Sequence, residues 1–513
     1  MSLGIRPNPK SLSDFLVHRF KRIDGLAWFA SVVFGLSLSS KVKAYEANVD
    51  GQSNLQLYTV EGYYGSPSLS RQRLTHTLGL DVVDLAGSAW NNEPWINVRI
   101  RMRMDGDYGI RPAEQDPANE DYFVPGLKTA PVDVLYAYVE GGGWLRNTVG
   151  FRLGRQLFFD ELGWWSLDGV RVGFTPGRLF EFAGYVGFEQ RGGVPLLSTG
   201  HYEAGGVFRG NREGLSSTQW PGYLQSTSLA PAAGGSLVLL AIPHLRARFD
   251  YRRVWQRDQV VTSPFLDQNG QLATASMSRV STERAGISLG YDMGQTASAD
   301  GAMVYDLFRS KVIEHRAAVV AHLAEPLRLS VNYRYRMPTF DADSIFNWFG
   351  AVGSTDLRPR LDVDLRRDLT LGVSAGIRWY QAPWSSVTTD AGTVRGYERD
   401  WIGNVDSTWH SRTLLVRIAD TTEVGDAGDR YVADAYLSYQ LYGGTLVPSA
   451  IVSVARFRDH LRSDFNSSVF TYVLGCRYAP IRAPRFGLDW EHSVSDVAAQ
   501  RFRVVGTVDV RWP

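Results

Sequence analysis

The chain has 513 residues, 44% hydrophobic, 21% charged and 12% aromatic, enough for several soluble domains or for one large β architecture. A single cysteine, Cys476, excludes an intramolecular disulfide and any multi-cysteine metal or haem site. Beyond the N-terminal leader no run reaches ~18 consecutive apolar residues, which excludes a transmembrane helix there. It does not exclude a membrane barrel, whose alternating strands average out near neutral hydropathy.

At the N-terminus, Arg19, Lys21 and Arg22 precede the apolar run LAWFASVVFGLSL, and SSKVKA follows it. Val42 and Ala44 meet the small-residue rule of signal peptidase, so a signal peptide is expected over residues 1–44 and one mature domain over 45–513. An N-terminal membrane anchor or a buried helix is the other reading of the run. The leader carries Arg6, Lys10, Arg19, Lys21, Arg22, Lys41 and Lys43 against Asp14 and Asp24. Its loss takes the formal charge from +1 to −4, which makes nucleic acid a poor partner and leaves any positive site local.

From about Asn54 onward one unit recurs, roughly ten alternating residues and then a turn. WINVRIRMRM (95–104) is the clearest case: Ile96, Val98, Ile100, Met102 and Met104 share one face of a strand, with Arg99, Arg101 and Arg103 on the other. VDVLYAYVE (132–140), TVGFRLG (148–154), LRARFDYR (245–252), LRLSVNYRYRM (327–337), LTLGVSAGIRWY (369–380) and FRVVGTVDVRW (502–512) follow the same rule. Helical caps with 3.6-residue periodicity are scarce, so the fold class is all-β. Alternate connections are short, as at 141–146, 175–178, 242–244, 324–326, 366–368 and 442–444, while many of the others are long, as at 105–130, 190–232, 257–276, 338–356 and 381–395.

That one-sided asymmetry is the pattern of a transmembrane antiparallel β-barrel with short periplasmic turns and long extracellular loops. Counting every weak run, including those around 353–364 and 395–409, gives 22 strands, within a range of 18–22. A soluble β-sandwich is the competing fold. Aromatic residues near strand ends (Tyr63, Tyr64, Trp164, Trp165, Trp379, Trp384) suit interfacial girdles. Trp512 ends the last strand one place before the C-terminus, where bacterial barrels usually carry an aromatic.

FRLGRQLFFDELGWWSLDGVRVGF (151–174) resembles the GRQ…DGVR signature of alginate-export-type porins, and WIGNVDSTWHSRTLLVRIADTTEVGD (401–426) resembles the strand pair and Gly-Asp loop near the end of that family's domain. The resemblance implies passive diffusion of an anionic saccharide through an arginine-rich pore in the outer membrane of a Gram-negative bacterium.

In a membrane barrel the apolar face meets lipid and the other face lines the lumen. A charge on the lipid face near the midplane costs ~2–4 kcal/mol. Alternation therefore assigns to the lumen Arg99, Arg101, Arg103, Arg152, Arg171, Arg246, Arg248, Arg252, Arg316, Arg328, Arg334, Arg336 and Arg378, with Asp105, Asp133, Glu181, Asp250 and Glu314. These arginines either brace the wall through cross-strand pairs or form a ladder that attracts carboxylate, phosphate or sulfate groups. The clusters at 99–103 and 328–336 favour the ladder, because their own strands supply few acids. Loops, above all 190–232, are expected to fold inward and narrow the lumen.

No catalytic motif of the Walker, GxGxxG or GxSxG kind sits in a strand–helix context, and no metal-ligand spacing occurs among the nine histidines. No enzyme activity, cofactor or metal is expected. The acidic stretches 113–121 and 423–429 read as solvated loops with calcium sites as the lesser alternative. Two other functions remain: a barrel hydrolase using His76 or His315, and a plugged structural or receptor barrel. The leading expectation is a channel whose partners are outer-membrane lipid and small hydrophilic solutes, including anionic saccharides or carboxylates.

Overall fold

The computed structural model describes residues 45–512 except 62–68, 89, 91–92, 108–131, 178, 190–229, 256–260, 267–271, 278–279, 339–352, 381–386, 390–391, 395–398, 427, 461–465, 481–483 and 497. The expected signal peptide (1–44), Tyr63, Tyr64, Trp384 and the acidic stretch 113–121 lie outside the described residues. The first strands are β1 (Glu46–Glu61), β2 (Leu69–Ala86), β3 (Trp95–Asp107), β4 (Val132–Gly143), β5 (Val149–Asp160), β6 (Gly163–Phe174), β7 (Phe180–Glu189), β8 (Ala230–Leu239) and β9 (Leu245–Trp255). After a small hairpin, β10 (Val261–Leu266) and β11 (Leu272–Met277), come β12 (Val280–Asp292), β13 (Ala297–Asp306), β14 (Lys311–Ala324), β15 (Leu327–Arg336), β16 (Ser354–Arg366) and β17 (Leu369–Tyr380). A second small hairpin, β18 (Val387–Thr389) and β19 (Gly392–Val394), precedes β20 (Arg399–His410), β21 (Leu414–Gly425), β22 (Gly428–Tyr439), β23 (Leu446–Asp459), β24 (Ser467–Tyr478), β25 (Arg485–Ser495) and β26 (Gln500–Trp512).

Twenty-two of these strands form one antiparallel sheet, and β1 pairs with both β2 and β26, so the sheet closes into a barrel. The expected count of 22 is the observed one, and both weakly signalled runs are wall strands, β16 and β20. Closure gives each wall strand a hydrogen-bonded neighbour on both sides over most of its length. A round barrel of this size, with strands ~4.8 Å apart and tilted ~40°, would be roughly 45 Å across.

The two faces of the sheet differ as the alternation requires. Phe182, Val186 and Phe188 of β7 are exposed on the outer face, as are Phe249 of β9, Val373 and Trp379 of β17 and Trp401 and Val405 of β20. The opposite face carries the arginines and their carboxylate partners. The short-turn rim has connections such as 144–148, 325–326 and 367–368, and the other rim has 108–131, 190–229, 256–279, 337–353 and 381–398.

One hairpin breaks the regularity. β5 and β6 pair with each other up to Asp160↔Gly163, but β4–β5 pairing stops at Ala137↔Arg155 although β4 continues to Val132. Pairing of β6 with β7 ends at Leu167↔Glu189. Past that line, residues 156–167 lean into the barrel, and their tip touches side chains of β9, β13 and β14. In strand order β14 lies six places from β6, so the hairpin cuts a chord across the interior.

The bend runs along a row of three glycines paired in register, Gly154, Gly169 and Gly187. Gly154 has φ +121°, open to glycine and strained for other residues, and a Cβ on Gly169 would come within 2.7 Å of the Gly187 Cα. The buried apolar residues cluster under this hairpin and not between layers: Trp165, Leu167, Tyr185, Ala230, Ala232 and Val254 form one group, and Leu162, Val304 and Ile313 a second. Trp164 and Trp165 are therefore hairpin residues and not part of an interfacial girdle. A two-residue turn at 161–162 lets the strands run straight through into the interior, and the rim aromatics read from the sequence go with them.

Candidate functional site

The hairpin docks through aromatic rings onto a floor of small residues. Phe158 and Trp165, opposite each other in register, stack at 5.1 Å, and Tyr185 of β7 lies 5.2 and 5.3 Å from them. β8, with the sequence APAAGGSLVL, presents Ala230 and Ala232 beneath the rings. Its Gly234 leaves room for Tyr185 to cross and donate its hydroxyl to the Tyr251 carbonyl of β9 at 3.1 Å. Burying two such rings contributes roughly 2–3 kcal/mol each. Gln156, fully buried at the bend, donates from Nε2 to the carbonyls of Gly169 (3.0 Å) and Arg152 (3.2 Å).

Arginines fasten the tip. Arg252 lies 4.6 Å over the Trp165 ring and donates to the Leu162 carbonyl at 2.8 Å. Arg316 of β14 holds Glu161 at 2.8 Å. Arg248 is tied to buried Asp250 on its own strand at 2.7 Å. Each bond is charge-assisted, the stronger class of hydrogen bond.

Elsewhere the arginines lie along the wall and pair across strands. On β3, Arg99 meets Glu140 of β4 at 3.1 Å, and the same carboxylate holds Arg152 of β5 at 2.8 Å. Arg101 reaches Asp50 of β1 at 3.1 Å, two strands away, over Gly79. Between β15 and β21 the network is longer. Asp362 binds Arg328 (2.9 Å) and Arg360 (2.7 Å), and Arg360 continues to Asp406 of β20 at 2.7 Å, passing over Gly372 of β17. Arg378 bridges Asp356 (2.7 Å) and Glu423 of β21 (2.6 Å), and Tyr380 donates to Asp400 at 2.6 Å. Gly79 and Gly372 occupy equivalent places: a Cβ on either would run into the charged side chain that spans it.

The remaining sequence-assigned residues fall as follows. Arg103 is buried at 8% exposure and faces Asp133 in register; the side chains of Asp133 and Asp105 lie outside the described residues. Arg171 stands 3.9 Å from Glu181, and Arg334 holds Glu314 at 2.9 Å. Arg246 and Arg336 make no ion pair among the described residues. Contrary to the expectation from their own strands, the 99–103 and 328–336 clusters do not lack acids: Asp50, Glu140, Glu314 and Asp362 come from other strands, which a count within one strand cannot register.

Several participants escaped the sequence reading. Arg358 and Arg360 alternate with Leu357, Pro359 and Leu361 in a run treated as weak, although RPRLDVDLR carries the period-two signal in full. Glu491, which holds both Arg501 and Arg503, lies on β25, outside the runs singled out. The inward hairpin was not among the expectations; its signal is a short turn on the long-loop rim, flanked by aromatic pairs and followed by a small-residue strand. The segment expected to narrow the lumen, 190–232, is outside the described residues up to 229 and is wall strand from 230.

Two histidines were weighed for catalysis. His76 Nδ1 and Ser53 Oγ are 2.8 Å apart on the outer face beside Leu55, with no carboxylate partner among the described residues. His315 stacks against Tyr333 and Tyr335 at 5.3 and 4.7 Å. Neither arrangement supplies a base oriented by a third group. The stretch 423–429 is strand, tight turn and strand, with Glu423 engaged by Arg378, so it is not a solvated loop. Among the described residues no group of three or more His, Cys, Asp or Glu is placed to hold a metal ion.

No protein-family model matches the chain, and no curated protein matches it. Solved structures similar to it include Acinetobacter baumannii OccAB4, at 8% identity, covering 91% of this chain and 98% of that one with a TM-score of 0.41. Pseudomonas aeruginosa OccK7 (OpdD) is similar at 11% identity, 91% and 99% coverage and a TM-score of 0.41. Pseudomonas aeruginosa OpdQ follows at 9% identity, 91% and 98% coverage and 0.40. At these values nothing about solute or assembly transfers from them.

Proposed function

We propose that the barrel is a non-enzymatic outer-membrane channel of a Gram-negative bacterium, passing small hydrophilic solutes by passive diffusion with a preference for anions such as acidic saccharides or carboxylates. The observation that carries the reading is the two-faced closed sheet: large apolar side chains exposed all round the outside, arginine networks and a docked hairpin inside. Water does not favour so large an exposed apolar surface, whereas a bilayer does, and a polar interior of this width holds water. The leader 1–44 fits export across the inner membrane. The anion preference rests on Arg246 and Arg336, which make no ion pair among the described residues. The saccharide part rests on the resemblance of 151–174 and 401–426 to alginate-export-type porins.

Purified protein in a planar bilayer under a salt gradient tests the reading. A reversal potential on the anion side supports it; cation selectivity removes the anion preference, and absence of any current removes the channel.

A further inference from the structure

We propose that the β5–β6 hairpin is a hinged gate, latched from the outer surface by Arg155 and Asp168, and that its second seat is the stretch of β4 from Val132 to Tyr136, whose edge away from β3 is paired by neither β5 nor any other described strand. Arg155 shares the outer face with Leu153, and Asp168 shares it with Val170, so this ion pair stands on the side opposite the arginine networks. It is bidentate, at 2.7 and 2.8 Å, and it sits directly above the glycine row where the sheet folds. A third bond runs from Arg155 Nη1 to the Val134 carbonyl at 3.0 Å. Val134 belongs to the part of β4 that β5 has left, so Arg155 occupies an acceptor that a wall-seated β5 would use. A cleft of about 420 Å³ opens outward there, lined by Val134, Ala137, Leu153, Arg155 and Asp168.

The hairpin keeps the alternation of a wall strand. Phe159 (69% exposed) and Trp164 (40% exposed), opposite each other in register, lie on the same side as Leu153 and Val170, which face outward below the bend. Swung into the wall, these rings would join the outer apolar face, and β4 from Val132 to Tyr136 would regain a strand partner on that edge in place of the single bond that Arg155 makes to Val134. β4 carries a bulge at Leu135, and continuing its register past that bulge sets Phe159 opposite Val132. One segment thus has two seats, each satisfying a different set of its groups, as a two-state element needs.

Disulfide trapping on a Cys476→Ser background tests this. Glu161→Cys with Gly286→Cys, where a Cβ on Gly286 lies 3.3 Å from the Glu161 Cβ, reports the inward seat, and Val132→Cys with Phe159→Cys reports the wall seat. Both pairs are expected to cross-link in native membranes. Arg155→Gln should raise the wall-seat yield severalfold at the expense of the inward one, and Arg155→Lys, which keeps a cation beside Asp168 and a donor for the Val134 carbonyl, should restore much of the original ratio. In bilayers the wall-seat disulfide should give current steps severalfold larger than the inward one, reversed by reductant. A wall-seat pair that fails to cross-link even with Arg155→Gln, or equal steps from the two disulfides, overturns the gate. The step sizes rest on the channel reading, but the cross-linking yields do not. Yields that shift as expected in a protein without current keep the moving hairpin and discard the channel.

Discussion

Two sectors of the inner wall use arginine differently. From β15 to β21 Arg328, Arg360 and Arg378 lie along the wall and join carboxylates on neighbouring strands, tying five strands into a belt. From β9 to β14 the same residue type points at the hairpin, where Arg252 and Arg316 hold its tip by a carbonyl and a carboxylate. The difference follows from what stands across from each strand. Where a glycine opens the row, as Gly372 does, the arginine's planar fork reaches a carboxylate two strands on. Where aromatic and small residues make a floor, a chain segment covers it and the arginines fasten that segment.

The largest stability effect is expected in the belt. Arg360→Ala leaves Asp406 and one oxygen of buried Asp362 without their cation and should cost about 2–3 kcal/mol, read as a lower temperature for the heat-induced gel shift. Gly372→Ala should do nearly as much by displacing Arg360, while an alanine at Gly163, where the glycine's space is open, should cost only its backbone strain. An unchanged transition in Gly372→Ala would mean that the glycine is no spacer.

Arg252→Ala should act locally. Losing the Leu162 bond and the Trp165 contact weakens hairpin docking by about 2 kcal/mol, giving noisier current with an unchanged heat transition. A lower heat transition would instead place Arg252 in the global brace. Replacing Arg99, Arg101 and Arg103 together with Ser should reduce anion preference, since the local field falls while Glu140 and Asp50 remain; unchanged selectivity would assign the three to bracing alone. Smallest in its effect on stability, Arg246→Ser or Arg336→Ser should lower the anion preference read from the reversal potential and leave the heat transition alone. A stability loss there would reveal partners in the segments outside the described residues.

Much of the barrel was readable because period-two alternation is local. WINVRIRMRM declares both faces of β3, and parity with rim asymmetry leads to 22 strands. The pairing of the arginines was not readable, because Arg99 finds Glu140 and Arg101 finds Asp50 only through strand register, which one sequence does not display. The hairpin was missed for a related reason. LFFDELGWW has adjacent aromatics on either side of a short turn, as strand ends at a membrane interface do, and its departure depends on three glycines meeting in one row from three different strands.

The central claim is that the interior is a solute path narrowed by the docked hairpin. Single-channel recording of the wild type beside a variant in which residues 156–167 are replaced by a short Gly-Asn turn tests it most directly. The account predicts a conducting wild type and a severalfold larger, less selective step in the variant. Equal steps, or a wild type as silent as an empty bilayer, would contradict it.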